Sequence, residues 1–157
     1  MSLRHLAGLL ALALALLSGC SLIPSGSDDG SGDGPVKNVD ERGLRTDLDP
    51  LTKRFPAIGQ PTSATWESGT LGDSRAAPGP STYWIDAVVT LEPQVATTLR
   101  STSSDAGPAG PDLVQAVAEE VDGESYRKVA LTGPQMWQVD AWLVDDSDVL
   151  VISAKGQ

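Results

Sequence analysis

The segment from Tyr83 to Leu91 constrains the fold of this 157-residue chain more than any other. Every second position in it is apolar, namely Tyr83, Ile85, Ala87, Val89 and Leu91. An apolar residue at every second position is typical of a β-strand with one buried face. We therefore expect a sheet whose apolar face is covered by another layer of the protein.

Three other segments also predict strands, at residues 64–71, 138–143 and 149–154. The sequence Asp145-Asp146-Ser147-Asp148 separates the last two, and such residues favour a tight hairpin turn. The segment Tyr126 to Leu131 is ambiguous, because Gly133-Pro134 interrupts whatever it forms.

Two helices are predicted between the strand at residues 83–91 and the strand at residues 138–143. One begins at Pro93 and the other runs from Pro111 to Gly123, because proline is tolerated in the first turn and glycine commonly follows the last. The order strand, strand, helix, helix, strand, strand predicts an α+β domain. In it, two helices pack on one face of a small antiparallel sheet.

The first nineteen residues have the layout of an export signal. Arg4 provides the positive start, and the apolar run at residues 6–17 follows it. A helix that spans a bilayer needs about twenty apolar residues, so this run is too short to be a permanent membrane span. We expect residues 1–19 to be a cleaved signal peptide.

The sequence Leu17-Ser18-Gly19-Cys20 at its end resembles the lipobox of bacterial lipoproteins. The resemblance implies that the sulfur of Cys20 receives a diacylglycerol group and that its freed amine is often acylated too, with chains such as palmitate. Two acyl chains hold a protein firmly in a membrane, whereas one binds reversibly. We expect lipid anchoring to the cell membrane, with the protein facing the extracytoplasmic side.

Two further blocks resemble small uncharacterised lipoproteins of actinobacteria. They are Arg54-Phe55-Pro56-Ala57-Ile58-Gly59 and Pro78-Gly79-Pro80-Ser81-Thr82-Tyr83-Trp84. This resemblance implies an envelope with a single membrane. It implies no activity, so no functional residue is carried over from it.

Residues 20–45 are predicted to be a tether, and residues 46–157 a single domain. Positions 21–35 consist almost entirely of serine, glycine, aspartate and proline, which cannot bury enough apolar surface to become ordered. The acidic spacing from Asp29 to Asp40 mimics a calcium-binding EF-hand loop, but no flanking helices are predicted. We expect no metal site there.

Composition excludes several classes of function. The chain has 11 basic and 21 acidic residues, and loss of Arg4 with the signal leaves 10 − 21 = −11. So acidic a surface repels nucleic acid. The signal also contains His5, the one histidine, and Cys20 is the one cysteine. The mature chain therefore has no disulfide, Ser-His-Asp triad or histidine-bound zinc, and we expect no cofactor.

Two pairs of residues remain as functional candidates. Asp86 and Asp140 interrupt two strands and could form the acid–base couple of a hydrolase, although their alternation predicts that both face solvent. Trp84 and Trp142 lie opposite the apolar faces of their strands. They could form an exposed aromatic face that binds a sugar or a peptide, or a second core layer beneath helices.

We therefore predict an extracytoplasmic domain that binds another envelope protein or a wall glycan without catalysing a reaction. A carboxylate-based envelope hydrolase is the alternative. The sequence identifies Cys20 as the lipidation site, and it predicts no catalytic or metal-binding residue.

Overall fold

The computed structural model describes residues 35–72 and 80–157. Within them, six antiparallel strands form one sheet in the order β1-β2-β3-β6-β5-β4. The strands are β1 Lys37–Val39, β2 Ser63–Leu71, β3 Tyr83–Thr90, β4 Tyr126–Val129, β5 Gln138–Val144 and β6 Val149–Gly156. The helices are α1 Asp49–Arg54, α2 Pro93–Ser101 and α3 Gln115–Ala118, with a 3-10 helix at Pro56–Ile58. The α+β class and the antiparallel sheet are confirmed.

The main core lies on one side of the sheet, which we call face A and define by Trp66, Ile85 and Ile152. Helices α1 and α2 cover this face together with the 3-10 helix. Their contributions to the core are Leu51, Phe55, Ile58, Ala96 and Leu99. Two helices thus pack on one face, as predicted, but α1 was not one of the two helices expected from the sequence.

The opposite side, face B, is defined by Trp84, Asp86 and Ser153. Helix α3 packs here against β2 and β3, so β3 is buried on both faces rather than on one. This helix is much shorter than the predicted segment 111–123, since the chain is still extended at Val114. The Val114 N–H donates to a carboxylate oxygen of Asp86 (2.9 Å), which fixes the backbone there before the helix begins.

The ordered fold begins before residue 46, the predicted start of the domain. Residues 37–39 pair with β2 as the edge strand β1. Arg45 then exchanges two backbone hydrogen bonds with Trp66, at 2.8 and 2.9 Å. The prediction of a tether up to residue 45 is therefore wrong for this stretch, because long-range contacts order a segment whose composition is polar. The predicted signal peptide, Cys20 and the rest of the predicted tether lie outside the described residues.

The last two strands agree closely with the sequence. A turn at residues 145–148 joins β5 to β6 as a hairpin, as predicted. The ambiguous segment after Ser125 forms β4, which pairs with β5 at the other edge of the sheet.

Candidate ligand-binding groove

A groove of about 580 Å³ opens at one end of face A. The end of β2 and the start of β3 form its floor, and α1 and the segment after β1 form its sides. Trp137, just before β5, completes the wall. Gln157, just after β6, lines it as well. Because six parts of the chain meet here, the groove exists only in the folded domain.

The lining is rich in arginine. Arg42, Arg45 and Arg54 all line the groove, whereas Asp40 is the one carboxylate side chain among the described lining residues. The chain as a whole has a formal charge of −10. The groove is therefore a local concentration of positive charge in an acidic protein.

Arg45 is held in place by an aromatic ring. Its guanidinium carbon lies 3.5 Å from the centroid of the Trp66 ring, a cation–π arrangement. One of its nitrogens donates to Ser68 Oγ at 2.8 Å. Burial lowers the pKa of Arg45 from its ordinary value, although the group remains charged at neutral pH. The stacked guanidinium fixes the shape of this wall.

Asp40 is oriented by several donors. It accepts hydrogen bonds from the Arg42 amide and from Ser68 Oγ, both at 2.9 Å. Burial acts to raise the pKa of Asp40, but these hydrogen bonds and the charges of Arg45 and Arg42 outweigh it and lower the pKa. Asp40 is therefore ionised at neutral pH and offsets part of the positive charge.

Two aromatic side chains add partly apolar surface to the groove. The Trp137 side chain packs so closely on Gly156 that a Cβ atom at that position would clash with the indole. Met136, just before it, has a left-handed backbone with φ of 68°, which is uncommon for a residue with a side chain. Tyr83 is 48% exposed. The groove thus combines guanidinium groups with aromatic rings.

The sequence carries one signal for this site. Three of the seven arginines fall between positions 42 and 54, in a stretch predicted partly to be tether. The spacing alone does not reveal that they meet at one groove, because the β2 and β3 residues that line it with them lie further along the chain.

Of the two alternatives for Trp84 and Trp142, the exposed aromatic pair does not form, since Trp84 is completely buried on the face that α3 covers. It faces Gly69 across β2 and β3, and its indole N–H donates to the Thr70 carbonyl at 3.1 Å. Lys37 lies 5.4 Å from its ring. Trp142 is only partly buried, but without Trp84 the two cannot form an exposed aromatic face.

The two predicted carboxylates lie on face B, on either side of Ser153 in the strand register. Asp140 forms an ion pair with Lys128 (2.9 Å) at the surface. Asp86 is completely buried and forms an ion pair with Lys37, with 2.6 Å between Nζ and Oδ2. The expectation that both carboxylates face solvent is therefore wrong for Asp86, which β1 and the segment before α3 cover.

A third carboxylate on face B was missed in the sequence. Glu67 on β2 lies directly opposite Asp86 and is almost fully buried. Burial raises the pKa of Glu67, and the negative charges of Asp40 and Asp86 raise it further. A raised pKa beside a second acid resembles an acid–base pair, but both side chains are shielded from solvent. Their burial supports a structural role rather than contact with a substrate.

Comparison with protein-family models, with curated proteins and with solved structures finds no match. Among residues 35–72 and 80–157, no helix is long and apolar enough to cross a membrane. The same residues contain no cluster of three potential metal ligands among histidine, cysteine, aspartate and glutamate. The groove and the amino-terminal motif are therefore the two features that bear on function.

Proposed function

We propose that this protein is a lipid-anchored, extracytoplasmic binding protein of the bacterial cell envelope, and that the groove is its ligand site. The lipobox ending at Cys20 supports the anchor. The observation that carries the binding function is that three arginines and four aromatic side chains, among the described residues, line one groove of an otherwise acidic protein. Concave sites with a few convergent polar groups are the usual place for ligands.

Binding without catalysis fits the groove better than hydrolysis does. Carboxylate-based hydrolysis needs an acid and a base on either side of the reacting bond. Asp40 is the one carboxylate side chain among the lining residues that the structure describes, and that group is already engaged by donors. On face B, Asp86 has no exposed surface from which it could reach a substrate.

Sedimentation with isolated cell walls tests this proposal. The full lipidated chain, kept soluble in detergent micelles, is mixed with purified walls, and the bound fraction is measured after centrifugation. We expect the wild-type protein to sediment with the walls. We expect Arg42→Gln and Arg54→Gln each to reduce that fraction, because each removes a guanidinium group from the groove.

Lys53→Gln is the matched control for Arg54→Gln. The two residues are neighbours at the end of α1 and the charge change is the same, but Lys53 does not line the groove. This variant should sediment like the wild type. Failure of the wild-type protein to bind walls, or an equal loss in the control, would contradict the proposed site.

A further inference from the structure

We infer that the ligand of the groove is a short wall saccharide that carries an oxyanion, either a carboxylate or a phosphate, beside a sugar ring. This inference rests on the proposed function and specifies the chemistry of its ligand. Three features of the groove lead to it: free guanidinium donors, accessible aromatic surface, and a positive charge that is confined to the site.

The first feature is the unused donor capacity of two arginines. The side chain of Arg42 is 72% exposed, and its one ion-pair contact within the described residues is to Asp40 at 3.6 Å. Arg54 donates to the Pro50 carbonyl at 3.2 Å and is otherwise exposed. A guanidinium has five N–H donors in a planar fork that matches a carboxylate or a phosphate. Both side chains can therefore bind an oxyanion and keep their present contacts.

The second feature is the aromatic surface beside these donors. Tyr83 offers an exposed ring with a hydroxyl group, and Trp137 offers a ring that Gly156 holds in place. Such side chains suit a ligand that is apolar on one surface and polar at its edge. A pyranose ring has this character, since C–H groups form its faces and hydroxyl groups its rim.

The left-handed residue Met136 supports the same conclusion. A non-glycine residue in this conformation is uncommon, and such positions concentrate at binding sites. Here the uncommon conformation lies immediately before Trp137, in the aromatic wall of the groove.

The third feature limits the length of the ligand. The described lining side chains comprise three guanidinium groups against one carboxylate, a side-chain formal charge of +2, whereas the whole chain has −10. A long polyanion would extend from the groove onto acidic surface and be repelled. A volume of about 580 Å³ lies within the usual range for small ligands. Both facts favour a short saccharide with one or two negative charges.

Titration calorimetry with matched sugars tests this inference on the full lipidated chain in micelles. The disaccharide of N-acetylglucosamine and N-acetylmuramic acid carries one carboxylate, and diacetylchitobiose is its neutral counterpart. We expect the acidic disaccharide to bind about tenfold more tightly or better, because it gains a charge-assisted hydrogen bond. N-acetylglucosamine 1-phosphate, compared with N-acetylglucosamine, tests phosphate as the source of the oxyanion.

Single substitutions show which side chains produce the preference for the acidic sugar. Arg42→Gln should abolish most of the preference for the acidic sugar, whereas Lys53→Gln should preserve it. Tyr83→Ala should weaken the binding of the acidic and neutral sugars by similar factors, since it removes an uncharged ring and hydroxyl that both sugars can contact. Raising the salt concentration should weaken the acidic sugar more than the neutral one.

The outcomes separate this inference from the proposed function. The inference is supported if the protein binds either anionic sugar more tightly than its neutral counterpart and Arg42→Gln loses this preference. The sugar that is preferred then identifies the oxyanion. Equal affinity for anionic and neutral sugars overturns the inference. If the protein binds walls through the groove but binds neither anionic sugar, the proposed class of ligand is wrong while the proposed binding function stands. If walls and sugars all fail to bind, both proposals fail.

Discussion

Asp86 connects three separate parts of the chain to the centre of the sheet. Its carboxylate accepts hydrogen bonds from Lys37 Nζ at 2.6 Å, from Ser153 Oγ at 2.9 Å and from the Val114 amide at 2.9 Å. These donors belong to β1, to β6 and to the segment before α3. Replacing Asp86 with alanine should therefore loosen the edge strand, the central strand pair and the cover of face B together.

The expected loss is large because the carboxylate is completely buried. Removing one partner of a buried ion pair costs about 3–5 kcal/mol, since the other charge is left uncompensated. The Lys37 side chain is 15% exposed and also donates to the Asp112 carbonyl at 3.0 Å, so water and this carbonyl relieve part of the penalty. We therefore expect Asp86→Ala to lower the free energy of unfolding by about 3 kcal/mol.

A surface ion pair of the same length provides the control. Lys53 Nζ and Asp49 Oδ2 are also 2.6 Å apart, but their side chains are 73% and 72% exposed. Exposed pairs of this kind in a helix contribute about 0.3–0.5 kcal/mol. Asp49 also lies in the first turn of α1, where a negative charge adds a similar amount. Asp49→Ala should cost less than about 1 kcal/mol.

Urea denaturation followed by tryptophan fluorescence measures both losses, because all four tryptophans lie within the domain. The wild type, Asp86→Ala and Asp49→Ala should be compared at one pH and in one buffer. If the free energy of unfolding falls with urea concentration at the same slope in all three proteins, the substitutions have changed stability alone. If the two variants lose the same stability to within about 0.5 kcal/mol, burial does not govern the effect and the reasoning is refuted.

Three further predictions concern separate sites. Glu67→Gln should raise the free energy of unfolding at pH 7, because an acid whose pKa is raised by folding destabilises the fold once it is ionised. This gain in stability should vanish below about pH 4, where the acid is protonated in both states. A gain that persists in acid would contradict the reasoning. Gly69→Ala should destabilise the domain by about 1–3 kcal/mol in urea denaturation, because the added Cβ would clash with the Asn38 carbonyl; an unchanged transition would show that β1 shifts freely. Cys20→Ala should block lipidation and leave an uncleaved or mislocalised precursor, as judged by mass spectrometry and cell fractionation; a processed, membrane-held variant would disprove the anchor.

The regular strands could be predicted from the sequence because each has its own local pattern. Residues 83–91 alternate, and the acidic turn at residues 145–148 identifies the hairpin of β5 and β6. Strand β1 has only three residues, and the partner of Lys37 lies 49 positions away. Helix α1 has six residues, too few for a clear apolar period. Such elements form through tertiary contacts, which leave no local pattern.

The candidate site could not be predicted for a related reason. Alternation in β3 predicts which side chains share a face, but not what covers the second face. Asp86 was therefore expected at the surface and is buried instead, and the burial of Trp84 was only one of two alternatives. The groove depends on the meeting of Arg42 and Arg54 with Tyr83 and Trp137, which are distant in sequence. Only the folded sheet places them together.

The position of β6 has a consequence for how the protein is made. Among the six described strands this one is made last, yet it lies between β3 and β5 in the middle of the sheet. Until the ribosome has added residues 149–156, β3 and β5 have no common partner and the main core lacks its centre. The sheet therefore stays incomplete until β6 itself has been made. For the exported protein proposed above, this arrangement would keep the preceding strands from closing into the final sheet early.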